Sequence, residues 1–287
     1  MVETSTRTEA RPGALSSLLH NFAGVAGGLL VLAVTLMAVF APVVAPYDPV
    51  ALNPPARLQG PSTEHLVGTD QYGRDTFSRI VYGGRVSLTV AFASVALAAL
   101  VGGFLGLLSG YYRGWLDALI MRVTDVLLSF PAILLAIALL AFFGSGILNL
   151  VLAIGIIYTG PFVRVTRAAV FTVREELYVE AGRALGARDG RVLAAAIIPN
   201  AAAPLIVETT LRLAYTILAE ASLSFLGLGV QPPAPSWGQM IADGRSFLAL
   251  SPWATVAPGL AIMVTVLGFN LLGDALRDAL DPRLSKS

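Results

Sequence analysis

Between Phe22 and Val44 the chain reads FAGVAGGLLVLAVTLMAVFAPVV, without a single ionisable side chain. Five more long apolar runs follow, at Leu88 to Tyr111, about Leu119 to Phe143, Ile147 to Val163, about Ile197 to Leu223 and Trp253 to Gly273. About 20 apolar residues in helical form cross a hydrocarbon core. Unpaired backbone groups are so costly in lipid that runs of this length have to be helical. Six membrane spans are therefore expected. The first is too long for the apolar part of a secretory signal peptide, roughly 7 to 15 residues, and reads as a retained span. Composition agrees, since 56% of the 287 residues are hydrophobic and only 13% charged, against roughly 25% charged in a soluble domain. No repeat of 20 to 50 residues is visible.

Several functions fall away on inventory alone. A net charge of +1 does not suggest a nucleic-acid partner. The absence of cysteine removes disulfides, thiolate metal sites and cysteine nucleophiles. A phosphate-binding loop needs GxxxxGK[ST], whose lysine reaches the nucleotide phosphates. The only lysine is Lys286 and the motif is missing, so this chain has no such loop with which to hydrolyse ATP. His20 and His65 both lie outside the spans, with no GxSxG and no HExxH, which leaves an intramembrane hydrolase without a nucleophile and base.

Basic residues collect on the cytoplasmic side of membrane proteins. With the N-terminus inside, Arg7, Arg11, Arg113, Arg164, Arg167, Arg174, Arg183, Arg188, Arg191, Arg277, Arg283 and Lys286 are cytoplasmic. Arg57, Arg74, Arg79, Arg85 and Arg245 are outside, and Arg122 and Arg212 fall in or beside spans. Both termini are thus expected in the cytoplasm. The expected division is a cytoplasmic tail at 1–21, a first span at 22–44, an extracytoplasmic loop at 45–87, a core at 88–273 with a cytoplasmic loop at 164–196, and a cytoplasmic tail at 274–287.

That cytoplasmic loop holds EAGRALGARDGRVLAAAIIPN, residues 180 to 200. Leu177, Ala181, Ala184 and Leu185 recur at helical spacing, while Glu175, Glu176, Glu180 and Arg183 fall elsewhere. A short amphipathic helix is predicted, ended by Gly186 in a left-handed conformation. Arg188-Asp189-Gly190 then turns the chain back and Pro199 marks the start of span five. Such a helix buries its apolar face on a partner or lies on lipid head groups.

The stretch resembles the EAA loop of permease subunits in binding-protein-dependent ABC importers. Glu180, Ala181, Gly186 and Pro199 match that pattern, whereas Gly182 stands in place of a second alanine and Ile198 in place of leucine. HLVGTDQYGRDTFSRIVYGGRVSL (His65 to Leu88) and EASLSFLGLGVQPPAPSWGQMIADGR (Glu220 to Arg245) narrow the resemblance to the dipeptide, oligopeptide and nickel subgroup, as its shorter C-type permease. The resemblance implies an all-α, six-span type I ABC importer permease fold in the bacterial inner membrane, with no catalysis and no cofactor of its own. It implies a second homologous permease as heterodimer partner, two ATP-binding subunits or domains using ATP and Mg, and an extracytoplasmic substrate-binding protein. It also implies that Glu180, Ala181, Gly182, Ala184, Leu185, Gly186 and Pro199 form the ATPase-coupling segment. The expected cargo is a di- or oligopeptide, with nickel or another small solute as the alternative. An ion-coupled secondary transporter is the more distant alternative; such proteins show inverted repeats, and the halves of this chain do not mirror each other.

Ionisable groups in spans point to pathways, because they are expensive unless they face water or a partner. Glu208 and Arg212 stand one turn apart in acid-first order and serve either as a neutralising pair or as lining of the translocation path. Glu220, nearer the outer end, is a third path candidate that would meet a peptide ammonium. Arg122 and Asp125 are expected to snorkel to the cytoplasmic interface. Gly102, Gly106 and Gly110 mark a close helix contact on span two. Pro131 and Pro161 are candidate kinks.

In the outer segments, Asp70 is expected to cap a solvated helix bearing Arg74, Asp75 and Arg79 on its wet face. Pro232, Pro233 and Pro235 forbid a continued helix and suggest a folded lip, which serves as a structural rim, as a docking surface for a soluble binding protein, or as both. Trp237 is expected as an interfacial anchor.

Overall fold

The computed structural model describes residues 21–280. Arg7, Arg11, His20, Arg283 and Lys286, and with them the tail at 1–20 and the end of the C-terminal tail, lie outside the described residues. Among the described residues the chain is helical, and the β contact present is an isolated bridge between Thr69 and Asp75.

Helix α1, Phe22–Val39, opens where the Asn21 side chain accepts bonds from Ala23 N (3.0 Å) and Gly24 N (3.3 Å), satisfying two N–H groups that have no partner within the helix. A short α2, Ala41–Val44, follows. Helix α3, Thr76–Tyr112, is 37 residues long, about 55 Å at 1.5 Å per residue. It exceeds the ~30 Å hydrocarbon core and begins well before the expected Leu88. Its cap is Asp75, whose carboxylate accepts from Ser78 N at 2.8 Å; Asp70 is not the cap.

The span expected at about Leu119 to Phe143 is not one helix. It is two, α4 (Gly114–Leu128) and α5 (Ala132–Phe143), bent by 92° at the break. Pro131 has no N–H to continue the ladder and forces Phe130 out of helical geometry. Helix α6, Ile147–Arg174, runs through Pro161 and well past the expected end at Val163. Then come the short α7 (Leu177–Ala184) and α8 (Asp189–Val192), a π-helical turn at Leu193–Ile197, and α9 (Ile198–Phe225). Helix α10 (Trp237–Gly244) leads to α11 (Trp253–Leu280), which continues beyond the expected boundary at Gly273. Among the described residues five helices are long and apolar enough to cross a membrane, and the bent pair makes a sixth crossing if counted as one.

Small residues set the packing. A Cβ on Gly102 would stand 2.6 Å from Phe162 Cβ and Thr159 O, one on Gly106 2.6 Å from Thr166 Cβ and Val163 O, and one on Gly110 2.8 Å from Val170 Cβ. The stripe read from the sequence is thus the seam between α3 and α6. Partners advance together along both helices, so α3 and α6 run parallel. The chain between them has to recross the bundle, and α4–α5 is that return. A second close approach, unmarked by any regular spacing, joins α1 to α11, where a Cβ on Gly27 would stand 2.7 Å from Leu272 N.

The bundle therefore has two ends. At the platform end α1 finishes, α3 begins and α10 lies; at the knob end α3, α6 and α11 finish and α7 projects. The main core, including Val95, Leu150, Phe162, Ile217 and Phe269, fills the middle. A second cluster of Tyr111, Val170, Val179, Val192, Ile197 and Ala201 closes the knob end.

Candidate functional site

At the knob end, α7 carries the segment singled out in the sequence. Glu180 in its first turn and Arg183 in its last each complement the helix dipole. The helix ends as a Schellman motif: Gly186 has φ +83°, its N–H donates to Arg183 O at 2.9 Å, and Ala187 N–H donates to Gly182 O at 3.0 Å. Gly182 has open space on its Cβ side and does not interrupt the helix.

One apolar side chain fastens α7 to the bundle. Val179 is 1% exposed and sits in the cluster with Tyr111 and Val170. On the other side, Leu177 is 80% and Leu185 89% exposed, with Ala181 and Ala184 also uncovered. The apolar stripe predicted to be buried against something is thus bare within this chain, and it lies away from the helix's own attachment. Glu180 and Gly186 are exposed beside it, while Pro199 lies in the first turn of α9, beyond the π turn.

Ionic and aromatic contacts tie the knob to the helix ends. Arg167 forms a fork with Asp117 (2.6 and 2.7 Å), and Asp117 also accepts from Ser109 Oγ at 2.5 Å, joining α6, α4 and α3. Tyr111 Oη donates to Asp189 Oδ1 at 2.6 Å, and Tyr111 O accepts from Arg174 Nη1 at 2.6 Å. Arg183 lies 5.0 Å from the Tyr111 ring centroid. Arg164 bonds Asp125 at 2.7 Å across exposed surfaces. Sequence reasoning misses Tyr111, Asp117 and Asp189 as members of this network, because their partners are 50 and 78 residues away and no spacing rule reaches that far.

The three candidates for the path separate. Arg212 Nε donates to Glu208 Oε1 at 2.6 Å, with its guanidinium 5.3 Å from the Tyr158 ring and 5.7 Å from that of Tyr215. The pair is half-buried and neutralised as the acid-first spacing suggests. Glu220 is different: it is fully buried, and Ser224 Oγ donates to its Oε1 at 2.7 Å. It is walled off from any open surface, which removes the reading in which it meets a peptide ammonium directly in this conformation. Between α3 and α9 lies an apolar cavity of about 490 Å³, lined by Leu100, Phe104, Leu205 and Thr209, with Thr166 and Val170 of α6 at its edge.

The platform end is folded more tightly than expected. Asp70, Arg74, Asp75 and Arg79 are all at least nine-tenths buried rather than on a wet face. Arg74 and Arg79 converge on Asp70 at 2.6 and 3.4 Å, Arg79 Nη1 donates to Pro49 O, and His65 Nδ1 lies 2.9 Å from Asp75 Oδ1. Two buried arginines are held because a carboxylate and a carbonyl meet them. Trp237 is also not an interfacial anchor. It is 2% exposed, donates from Nε1 to Ile80 O at 2.9 Å, and lays its ring over Gly83 and Gly84, locking α10 to α3.

Residues 102–286 match the family described as binding-protein-dependent transport system inner membrane component, and residues 13–61 match the N-terminal TM domain of oligopeptide transport permease C. The dipeptide transport system permease protein DppC of Alkalihalophilus pseudofirmus is 46% identical over 271 residues, covering 94% of this chain and 89% of that protein. The glutathione transport system permease protein GsiD of Pectobacterium atrosepticum is 45% identical over 267 residues, covering 93% and 89%. The fold is also that of the MetNI methionine ABC transporter in inward-facing conformations, with TM-score 0.59 at 18% identity over 70% of this chain and 96% of that one. Five long apolar helices with one bent pair and these matches in sequence and fold agree: the chain belongs to the family of inner-membrane components of binding-protein-dependent transport systems, as a non-catalytic permease with the N-terminal segment of the oligopeptide permease C branch.

Proposed function

We propose that this chain is one half of the membrane channel of an ATP-driven importer of short peptides, in the bacterial inner membrane with the knob and both termini in the cytoplasm. In this reading α7 seats Leu177, Ala181, Ala184 and Leu185 in a cleft of a separate ATPase subunit, with Glu180 and Arg183 on the rim. Two such ATPase subunits or domains use ATP and Mg. A second, homologous permease completes the pathway beside Glu208 and Arg212, and a soluble binding protein delivers cargo at the platform end.

The observation that carries this is the division of labour on α7. A helix that uses one valine for its own chain while exposing two leucines is built to be covered by something else. A peptide cargo is supported by relatives whose names say dipeptide, di/tripeptide and glutathione; none of these names mentions nickel. Membership in a binding-protein-dependent family disfavours an ion-coupled secondary transporter.

ATP binding would draw the ATPases together, carry α7 with them and rock the spans as rigid bodies between inward- and outward-facing states; hydrolysis would reset them. Because the chain has no cysteine, Leu185→Cys provides a unique probe. In the assembled complex the introduced thiol is expected to cross-link to the ATPase subunit and to resist a water-soluble maleimide, while proteoliposomes take up a labelled dipeptide only with ATP inside. Free maleimide access to that thiol in a transport-active complex would overturn the docking role.

A further inference from the structure

Tyr111 is the penultimate residue of α3 and is 4% exposed, at the centre of the knob-end cluster. Three other elements meet on it. Its hydroxyl donates to Asp189 Oδ1 of α8 at 2.6 Å, and its carbonyl accepts from Arg174 Nη1 at the end of α6 at 2.6 Å. The Arg183 guanidinium of α7 lies over its ring at 5.0 Å, with that of Arg174 at 5.7 Å. Tyr112 stacks edge-on at 5.0 Å.

The knob's other fastenings to the bundle are weaker or unspecific. Val179 gives apolar contact without direction. Arg113 and Glu175, paired at 2.5 Å, are 39% and 68% exposed, and exposed pairs contribute little. The Tyr111–Asp189 bond is directional and runs from a buried tyrosine to an exposed but charged acceptor, and charge-assisted bonds are stronger than neutral ones. It also reaches α8, beyond the Schellman turn at Gly186, so it fixes the far side of the knob rather than its near hinge.

From this geometry we propose that Tyr111 is the positioning residue that registers the α7–α8 knob on the end of α3, so that displacement of the knob moves α3 and not the connecting loops alone. The proposal rests on the docking role of α7 given above. Without the hydroxyl the knob can still occupy an ATPase cleft, but its movement is absorbed where Glu175–Glu176 and the π-helical turn at Leu193–Ile197 join it to the bundle. The expected signature is therefore loss of coupling: ATP hydrolysis continues and import per ATP falls.

The test uses the complete complex in proteoliposomes with its binding protein, reading labelled dipeptide imported per ATP hydrolysed. Tyr111→Phe keeps the ring and its arginines and removes only the hydroxyl. It is expected to lower that ratio roughly five- to tenfold, the low end of the range for a coupling between two states because the Asp189 acceptor is exposed to water. Asp189→Ala should give the same ratio, the double variant should be no worse than either single, and Asp189→Asn, which keeps an accepting oxygen, should recover most of it. If Tyr111→Phe does not assemble, the ratio for Asp189→Ala decides by itself. An unchanged ratio, or additive losses in the double variant, overturns the latch. The Leu185→Cys cross-link to the ATPase, measured in the same Tyr111→Phe background, separates the two readings: a retained cross-link with an unchanged ratio refutes the latch only, and no cross-link even with native Tyr111 refutes docking itself.

Discussion

Alanine at Gly106 probes how close the α3–α6 seam is. The added methyl would stand 2.6 Å from Thr166 Cβ and Val163 O and 3.1 Å from Arg167 N. Carbon atoms settle near 3.5–4.0 Å, so α3 has to retreat by about 1 Å. Backbone atoms and a branched Cβ inside a helix cannot swing aside. Overpacking of this kind costs about 1–3 kcal/mol, against about 1 kcal/mol of helix propensity that alanine returns. Gly103 is the internal control, because a methyl there meets only Leu205 Cδ2 at an ordinary 3.7 Å and collects the propensity gain alone. Comparing the two cancels propensity and leaves the clash. At roughly 2–4 °C per kcal/mol for a chain near this size, Gly106→Ala should melt about 2 to 12 °C below Gly103→Ala, followed by tryptophan fluorescence of the detergent-solubilised complex. Combining Gly102→Ala with Gly106→Ala should cost less than the sum, since the first substitution has already moved the helix. Equal melting temperatures for the Gly103 and Gly106 variants would refute the packing described.

Gly186→Val puts a β-branched residue at φ +83° with nothing within 4 Å of its Cβ, so its effect is on the backbone alone, about 1–2 kcal/mol. It is expected to abolish dipeptide uptake and uncouple the ATPase with membrane insertion intact, Gly186→Asn being better tolerated; wild-type uptake by the valine variant would contradict the coupling role of the turn. Arg212→Leu leaves Glu208 half-buried without its partner, so the complex should accumulate poorly in membranes by immunoblot, and adding Glu208→Gln should restore it; no rescue would argue that Arg212 acts on cargo or on the second permease instead.

The spans are legible in the sequence because lipid permits one solution for a long uncharged run. Their ends are not, since α3 and α6 continue past the apolar runs on polar residues that look like loop. Proline is ambiguous for a physical reason. Pro161, Pro204 and Pro258 sit inside intact helices, whereas Pro131 ends one, and the difference depends on whether neighbours absorb the freed carbonyls. Trp237 and the buried arginines are misplaced by single-sequence reading because it assigns polar and aromatic groups to the interface by frequency, while here Ile80 O, Pro49 O and Asp70 satisfy them inside. The knob is the clearest feature in the sequence. Gly186 and the Leu177–Leu185 stripe are local properties of a helix, but Val179, placed between Tyr178 and Glu180, gives no sign there of being its anchor.

Trp237 clasps α3 at Gly84 and Tyr111 holds it at the other extremity, 27 residues and about 40 Å away along one uninterrupted helix. A helix turns about 100° with each residue, so its length between those two clasps is also an angle. Inserting one alanine there would leave every local contact chemically possible yet twist one clasp a quarter-turn out of line with the other. Seven alanines would nearly restore the angle while adding about 10 Å. The spacing between the two ends of this bundle is thereby fixed in whole residues.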